Sequence, residues 1–158
     1  MYGLAADPGE ESTRRLYELK GRDLAQPSAL VAADLQRLLA LVPELSALAT
    51  SLAQLLPAPV TLILPNPARR FRWLTGSNPD AIGVRVPELG GPAAPLLERV
   101  GAVVATSANK PGEPDPSRLD DVPEEIRRGA AAVVDGGELP GTPSTVIDLT
   151  GPEPRILR

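Results

Sequence analysis

Apolar and polar positions along this chain form two patterns, which indicate two kinds of secondary structure. Short continuous apolar runs are typical of buried strands, whereas apolar residues that recur every three or four positions are typical of helices packed on one side. Strands are predicted at 29–32, 60–64, 82–86, 102–105, 132–134, 144–149 and 155–157, and helices at 10–20, 35–42, 44–56, 92–100 and 121–129. Because strands and helices alternate, we expect an α/β domain, and the consecutive late strands indicate a mixed sheet.

Length and composition fit one domain with an aliphatic core. The chain has 158 residues, which suffice for one domain of ordinary size but not for two. Hydrophobic residues make up 42% and aromatic residues 3%, so Leu, Val, Ile and Ala must fill the interior. No apolar stretch approaches the ~20 residues that span a bilayer, and the absence of cysteine is compatible with a reducing compartment. We therefore expect a cytoplasmic protein without membrane contact.

The residue types that the chain lacks narrow its chemistry. It contains no His and no Cys, which excludes a Ser-His-Asp relay, a cysteine nucleophile and a histidine metal site. Its net charge of −4 is the reverse of the basic balance usual in nucleic-acid-binding proteins. A cluster of basic and aromatic residues at 69–73 is of a kind that contacts RNA, but we interpret it as a solvated, mobile loop.

Polar residues suited to anion binding fall where predicted elements end. In the segment 105–113, an apolar strand gives way to hydroxyl and amide side chains and a glycine turn. Ligands of α/β proteins bind at such strand ends, and cations, hydroxyls and amides suit phosphate or carboxylate groups. Taken singly, each candidate except Arg85 is explained better as a cap, a turn or a solvated helix end. The candidates are Lys20 with Arg22, Arg85, Ser107 with Asn109, and residues 142–145.

Taken together, the candidates belong to seven sequence blocks that resemble the signature blocks of the YrdC/TsaC family. Each block is weak by itself, but all seven follow the family's order and rough spacing from the first residues to the last. The blocks are YGL at 2–4, KGR at 20–22 with Pro27, PVTLIL at 59–64, GVRVP at 83–87, TSAN at 106–109 with GEP at 112–114, GTPSTVID at 141–148, and ILR at 156–158.

This resemblance implies both a fold and an activity. The fold is a YrdC-like twisted mixed sheet, flanked by helices, around a concave electropositive cavity. The activity is a nucleotidyl transfer in which L-threonine, bicarbonate and ATP, with Mg²⁺ on its phosphates, give threonylcarbamoyl-adenylate and pyrophosphate. A tRNA-modifying threonylcarbamoyl transferase complex would use this product to modify the adenosine beside tRNA anticodons. Such a reaction depends on positioning and charge stabilisation and needs no protein nucleophile.

The resemblance also implies roles for individual residues, matched motif by motif. The implied catalytic residues are Lys20, Arg22, Ser107 and Asn109. The implied ATP-binding residues are these four together with Gln26, Asp115 and Arg158, although Gln26 and Asp115 differ from the residues that the family often has there. The implied threonine-binding residues are Arg85 and Ser144, which would hold the carboxylate, and Ala105, whose backbone would lie alongside. No protein ligand for a metal is implied.

The chain departs from the family pattern at its beginning. The family has Pro-Thr-Asp/Glu-Thr-Val before its Tyr-Gly-Leu, and these threonines, implied in substrate binding, have no counterpart before Tyr2. We therefore expect a single YrdC-like domain over 1–158, of the short bacterial form but N-terminally short, with one wall of its cavity open. The alternatives are a noncatalytic module that binds nucleotide or double-stranded RNA, an inactive truncated paralogue, and a paralogue that hydrolyses adenylates. The acidic balance allows a weak RNA contact at most.

Overall fold

Seven strands form one mixed sheet in the computed structural model, which describes residues 1–158. The strands are β1 (Gly3–Ala6), β2 (Ala29–Ala32), β3 (Val60–Pro65), β4 (Ala81–Arg85), β5 (Ala102–Ser107), β6 (Thr145–Asp148) and β7 (Arg155–Ile156). They lie side by side in the order β1-β5-β2-β4-β3-β6-β7. Strand β2 pairs in parallel with β4, and β3 with β6, while the remaining neighbours are antiparallel. The prediction of a mixed sheet is confirmed.

Short helices connect the strands. The α-helices are α1 (Glu10–Lys20), α2 (Leu35–Leu41), α3 (Ala49–Leu55), α4 (Ala94–Val100) and α5 (Glu124–Gly129). Three 3-10 segments accompany them, at Pro43–Leu48, Arg72–Leu74 and Leu119–Asp121. Even the longest helix, α1, has only 11 residues, and none of the helices has the length and apolar character needed to cross a bilayer.

One face of the sheet forms the hydrophobic core. Leu30, Leu62, Val84 and Val104 lie on neighbouring strands, and each is at most 1% exposed. They belong to a core cluster of 22 buried residues, to which helix α1 contributes Leu16 and other side chains. The large aliphatic side chains of the strands therefore lie mostly on one side of the sheet.

The opposite face carries small residues at its centre. Side chains alternate between the two faces of a strand, so residues between the core positions point to the other side. Ala29 of β2 lies directly beside Ala105 of β5 and Gly83 of β4. All three are partly exposed. We call this side, defined by Ala29, Gly83 and Ala105, the small-residue face; it is where a ligand has room against the backbone.

Helix α1 ends in a way that directs two basic residues toward the sheet. Its buried positions recur every three or four residues and are Thr13, Leu16, Tyr17 and Lys20. Lys20 therefore lies on the packed side of the helix and not on its solvent side. Gly21 has a φ of 69°, in the left-handed region, and Arg22 donates its backbone N–H to the Tyr17 carbonyl. This glycine-terminated end turns the chain sharply, so Arg22 follows Lys20 into the same region.

Most of the predicted elements are confirmed, with shifted boundaries. The helix at 10–20 and the strand at 29–32 have the predicted limits. The helix predicted at 44–56 is divided into the 3-10 segment Pro43–Leu48 and α3. Strand β1 was not predicted, because its four residues, Gly-Leu-Ala-Ala, are too few to give a recognisable apolar run or alternation.

The strand predicted at 132–134 is wrong. No strand lies between α5 and β6, and Val133 is 49% exposed. β-branched residues favour a strand only when their side chains pack against a neighbouring strand, and this short run pairs with none. The run was therefore too short for its composition to decide its structure.

The arginines of the basic cluster at 69–73 are exposed, but two side chains of the cluster bond to other parts of the chain. Arg70 makes two hydrogen bonds to the Glu44 carboxylate, at 2.7 and 2.9 Å. The indole N–H of Trp73 donates to the carbonyl of Pro8 at 2.8 Å, and the ring is partly buried. The loop is thus tied to two other parts of the chain, while Arg69, Arg70 and Arg72 stay exposed to solvent.

Candidate functional site

One pocket brings together the residues of the implied ATP site. It has a volume of about 470 Å³ and lies between the end of α1, the turn after β5 and the last residue of the chain. Four basic side chains and one carboxylate line it, an excess of positive charge that suits an anionic ligand. The implied residues that line it are Lys20, Arg22, Gln26, Ser107, Asn109, Asp115 and Arg158.

Lys20 forms the centre of the pocket wall. Only 2% of this residue is exposed. Its ammonium group donates to the carbonyl of Ser107 at 2.5 Å, to the carbonyl of Asn109 at 2.6 Å and to the side-chain Oδ1 of Asn109 at 2.8 Å. An ammonium has three N–H donors, so all of them are used. In this conformation Lys20 offers an incoming anion its charge, but no free donor.

Burial and a neighbouring cation make Lys20 lose its proton more easily than an exposed lysine does. Desolvation, reinforced by the charge of Arg22, lowers the pKa of Lys20 to about 8. The carboxylates of Asp115 and Glu113 act in the opposite sense but more weakly. An anion bound nearby would favour the charged ammonium and raise this pKa again.

The turn after β5 is held by its own side chains as well as by Lys20. The Ser107 hydroxyl donates to Asn109 Oδ1 at 2.6 Å, and the Asn109 amide donates to the Glu113 carbonyl at 2.5 Å. Asn109 is 7% exposed. Lys20, Ser107 and Asn109 therefore form a closed set of hydrogen bonds, which we call the Lys20 network. It fixes the shape of the pocket wall before any ligand binds.

Arg22 is held on several sides but keeps donors to spare. Its two terminal nitrogens donate to Thr106 Oγ1 at 3.2 Å and to the Pro27 carbonyl at 2.5 Å. Its guanidinium carbon lies 5.7 Å from the centre of the Tyr17 ring. Its buried Nε has no hydrogen-bond partner. Since a guanidinium has five N–H groups, Arg22 is better able than Lys20 to bind a phosphate directly.

A second group of polar residues lies on the small-residue face. Arg85 ends β4, and its buried Nε has no hydrogen-bond partner. Burial and the nearby charge of Arg158 lower the pKa of Arg85. Arg158 in turn donates from Nε to the carbonyl of Ser144 at 3.4 Å. We call Arg85, Ser144 and Arg158 the Arg85 cluster; it holds two guanidinium groups together without a carboxylate between them, an arrangement that an anion would relieve.

The sheet connects the Lys20 network to the Arg85 cluster. Ser107 and Ala105 lie two positions apart on β5, and Ala105 pairs with Ala29, which in turn pairs with Gly83. Gly83 and Arg85 are also two positions apart, so all these residues share the small-residue face. Arg158 lines the pocket and interacts with Arg85, so it belongs to both groups. The implied threonine-binding residues are therefore next to the implied ATP-binding residues, along one face.

The remaining sequence candidates take lesser positions. Gln26 lines the pocket, but its carbonyl is engaged by the Tyr17 hydroxyl at 3.0 Å. Asp115 supplies the pocket's only carboxylate. No group of three or more Asp and Glu side chains lies together in a way that could hold a metal ion. One carboxylate suits an Mg²⁺ ion that arrives on the phosphates of its substrate, and not a resident metal.

Sequence reasoning missed two residues of this region. Tyr17 supports both Arg22 and the loop at Gln26, and Thr61 lies 3.1 Å, oxygen to oxygen, from the Ser144 hydroxyl. Tyr17 could have been found from its place on the same helical face as Lys20. Thr61 had the weaker signal of one hydroxyl in an otherwise aliphatic strand.

A smaller hollow lies outside this site. It has a volume of about 260 Å³ and is lined in part by Arg14, Arg72 and Trp73. Glu10 and Leu24 complete much of its wall, so its charges are mixed. The larger pocket, with its excess of cations and its connection to the sheet, is therefore the better candidate for a functional site.

The fold and the site define an α/β protein with a pocket lined by four basic residues next to a mixed sheet. Comparison with known proteins identifies it further. A family model described as telomere recombination, Sua5_yciO_yrdC, matches residues 1–158. The chain belongs to the Sua5/YciO/YrdC family, as the sequence blocks predicted.

Two relatives and one solved structure show how far the similarity extends. The chain is 36% identical over 163 residues to the threonylcarbamoyl-AMP synthase of Pyrococcus abyssi, covering 100% of this chain and 47% of that protein. It is 35% identical over 159 residues to an Escherichia coli threonylcarbamoyl-AMP synthase, covering 96% of this chain and 82% of that protein. It matches the crystal structure of P. abyssi Sua5 complexed with L-threonine with a TM-score of 0.84 and 35% identity, covering 99% of this chain and 47% of the other. The chain therefore spans about half the length of its Pyrococcus relative.

Proposed function

We propose that this protein is an L-threonylcarbamoyladenylate synthase, a nucleotidyltransferase that joins L-threonine, bicarbonate and ATP with release of pyrophosphate. The observation that supports this most directly is the adjacency of the Lys20 network and the Arg85 cluster on one sheet face. The relatives named threonylcarbamoyl-AMP synthase support the same activity. The phosphates of a nucleotide and the carboxylate of an amino acid need two anion sites within reach of each other.

Different residues would bind the two substrates, and those of the Lys20 network and Arg22 would bind ATP. Arg22, with a spare N–H on each terminal nitrogen, would bind the ATP phosphates, and Arg158 would contact them from the opposite side. Lys20 would add its charge from behind the turn, while Ser107 and Asn109 shape the surface on which the phosphates rest. Gln26 and Asp115 would complete the nucleotide site.

The threonine would lie along the small-residue face. Arg85 and Ser144 would hold its carboxylate, with the Ala105 backbone alongside. Its amine would take up CO₂ from bicarbonate, releasing water and forming an N-carboxy group. An oxygen of that carboxylate would then bond to the α-phosphorus of ATP as the bond to the pyrophosphate oxygen breaks. The protein supplies orientation and charge stabilisation, which such transfers mainly require.

The other participants follow from this reaction. Mg²⁺ would enter with ATP, since the pocket carries only one carboxylate. The adenylate product is reactive and would pass to a tRNA-modifying threonylcarbamoyl transferase complex. ATP and tRNA are both available in the cytoplasm, which is the compartment we propose. Any RNA contact of this acidic chain would be weak and sensitive to salt.

The experiment that tests this function is an assay of pyrophosphate release. The purified protein should release pyrophosphate only when ATP, L-threonine and bicarbonate are all present, and Arg22→Ala should abolish the release because a direct phosphate donor is lost. Arg128→Ala is the matched control, since Arg128 is 78% exposed and pairs only with Glu124. Binding of ATP without pyrophosphate release would contradict the proposal and favour a noncatalytic nucleotide-binding module.

A further inference from the structure

Thr61 contacts the Arg85 cluster although no part of the proposed reaction uses it. Its hydroxyl oxygen lies 3.1 Å from the hydroxyl oxygen of Ser144, a residue that is 8% exposed. The two residues are 83 positions apart, on β3 and at the entrance to β6. The contact is therefore a product of the tertiary fold and not of local sequence.

The sheet register places Thr61 on the same face as Arg85. Strands β3 and β4 are antiparallel, with Leu62 opposite Val84 and Ile63 opposite Gly83, so continuation of this register sets Thr61 opposite Arg85. A Cβ added to Gly83 would lie 3.9 Å from the Thr61 methyl carbon, which confirms that the two residues point to the same side. Thr61 thus lies in the floor of the proposed threonine site.

We propose that Thr61 is a positioning residue that orients the Ser144 hydroxyl toward the carboxylate of bound threonine. This inference rests on the proposed function. A serine hydroxyl rotates freely, and in a pair of hydroxyls joined by one hydrogen bond only one O–H remains free. When Ser144 donates to the carboxylate, Thr61 is able to donate to Ser144, so the pair has its donors aligned toward the ligand. Arg85 supplies the charge for the same carboxylate.

The effect on substrate binding should be selective. Replacing Thr61 by valine keeps the β-branched shape that suits a strand but removes the hydroxyl. The threonine KM should then rise about fivefold, the order expected for one neutral hydrogen bond. The ATP KM should not change, because the Lys20 network and Arg22 make no contact with Thr61. Thr61→Ser, which restores the hydroxyl, should return the threonine KM toward that of the unaltered protein.

A double-mutant cycle of Thr61→Val with Ser144→Ala tests whether Thr61 acts through Ser144. In the Ser144→Ala background, Thr61→Val should change the threonine KM by less than about twofold, because residues that act on one contact are not additive. Thr13→Val is the matched control, since Thr13 is a buried threonine with one side-chain hydrogen bond, to the Gly9 carbonyl, on another element. If Thr61→Val fails to fold by circular dichroism, Thr61→Cys takes its place in the cycle.

The outcomes separate this inference from the proposed function. Pyrophosphate release by the unaltered protein, with an unchanged threonine KM in Thr61→Val, would overturn the role of Thr61 alone. Equal increases of the threonine KM in both backgrounds would also overturn it, since Thr61 would then act independently of Ser144. An unaltered protein that releases no pyrophosphate overturns the proposed function, and the inference with it.

Discussion

The Lys20 network and the Arg85 cluster are both cationic, but they satisfy their charged groups in opposite ways. Lys20 uses all three N–H donors on oxygens of the turn after β5. The Nε of Arg85 has no partner, and its guanidinium lies near that of Arg158. A site whose hydrogen bonds are complete is a preformed shape, whereas one with unpaired cations gains most when an anion arrives. The two halves of the site should therefore respond differently to mutation.

The largest effect should follow from Lys20→Met. This change removes the positive charge behind the pocket and leaves three oxygens without their shared donor. We expect pyrophosphate release to fall more than about a hundredfold, the order seen when one preorganised electrostatic group is lost. Burial disfavours the charged ammonium, but three hydrogen bonds of the turn are lost with it, so we expect the free energy of unfolding to fall by about 1 kcal/mol.

Both parts of this prediction can be measured on one preparation. Pyrophosphate release gives the activity, and urea denaturation gives the free energy of unfolding. Arg128→Ala serves again as the surface control. An increase in stability in Lys20→Met would show that relief from desolvation outweighs the hydrogen bonds, and the Lys20 network would no longer count as a stabilising element.

Arg85→Met should change stability and function in opposite directions, whereas Lys20→Met should lower both. The pKa of Arg85 is lowered by burial and by the charge of Arg158, so the charged guanidinium is unfavourable in the folded protein. Its removal should raise the free energy of unfolding, on the order of 1 kcal/mol, as stabilising changes at functional sites often do. Affinity for threonine should fall more than about tenfold, since the carboxylate loses a charged hydrogen-bond donor.

Calorimetric titration with L-threonine and thermal denaturation without it test this pair of effects. Arg85→Lys provides a useful comparison, because it keeps the charge but lacks the planar guanidinium. A variant Arg85→Met that binds threonine normally would remove Arg85 from the amino-acid site. A less stable variant would mean that Arg85 is paired in solution after all.

These differences also explain how much the sequence could predict. Lys20, Arg22, Ser107 and Asn109 were predicted through the resemblance of their blocks to the family's signature blocks, and all four line one pocket. Thr61 lies in the block at 59–64, but no role for it could be predicted, because its contact with Ser144 depends on the order of strands in the sheet. The strand propensity of residues 132–134 also led to a wrong prediction, because this apolar run has no neighbouring strand to pair with. Local patterns therefore predicted the elements, while contacts between distant strands required the structure.

The smallest expected effect is the pH dependence of ligand affinity, which should differ between the Lys20 network and the Arg85 cluster. Lys20 has a pKa of about 8, below its ordinary value of 10.5, so it loses its proton as the pH rises through 8. ATP affinity should decline over this range, by less than about tenfold in all, because the phosphates favour the charged ammonium. Threonine affinity should stay nearly constant between pH 7 and 8, where an arginine keeps its charge and the threonine amine stays protonated.

Stability should change in the opposite direction over the same range. Between pH 8 and 10.5 the unfolded chain holds a proton on this lysine that the folded protein has largely lost, so the contribution of Lys20 to the free energy of unfolding rises with pH. Isothermal titrations with ATP at several pH values, compared with those of Lys20→Met, isolate this one group. An equal pH dependence in Lys20→Met would assign the titration to another residue, and the contrast between a titrating lysine and a permanently charged arginine would no longer hold.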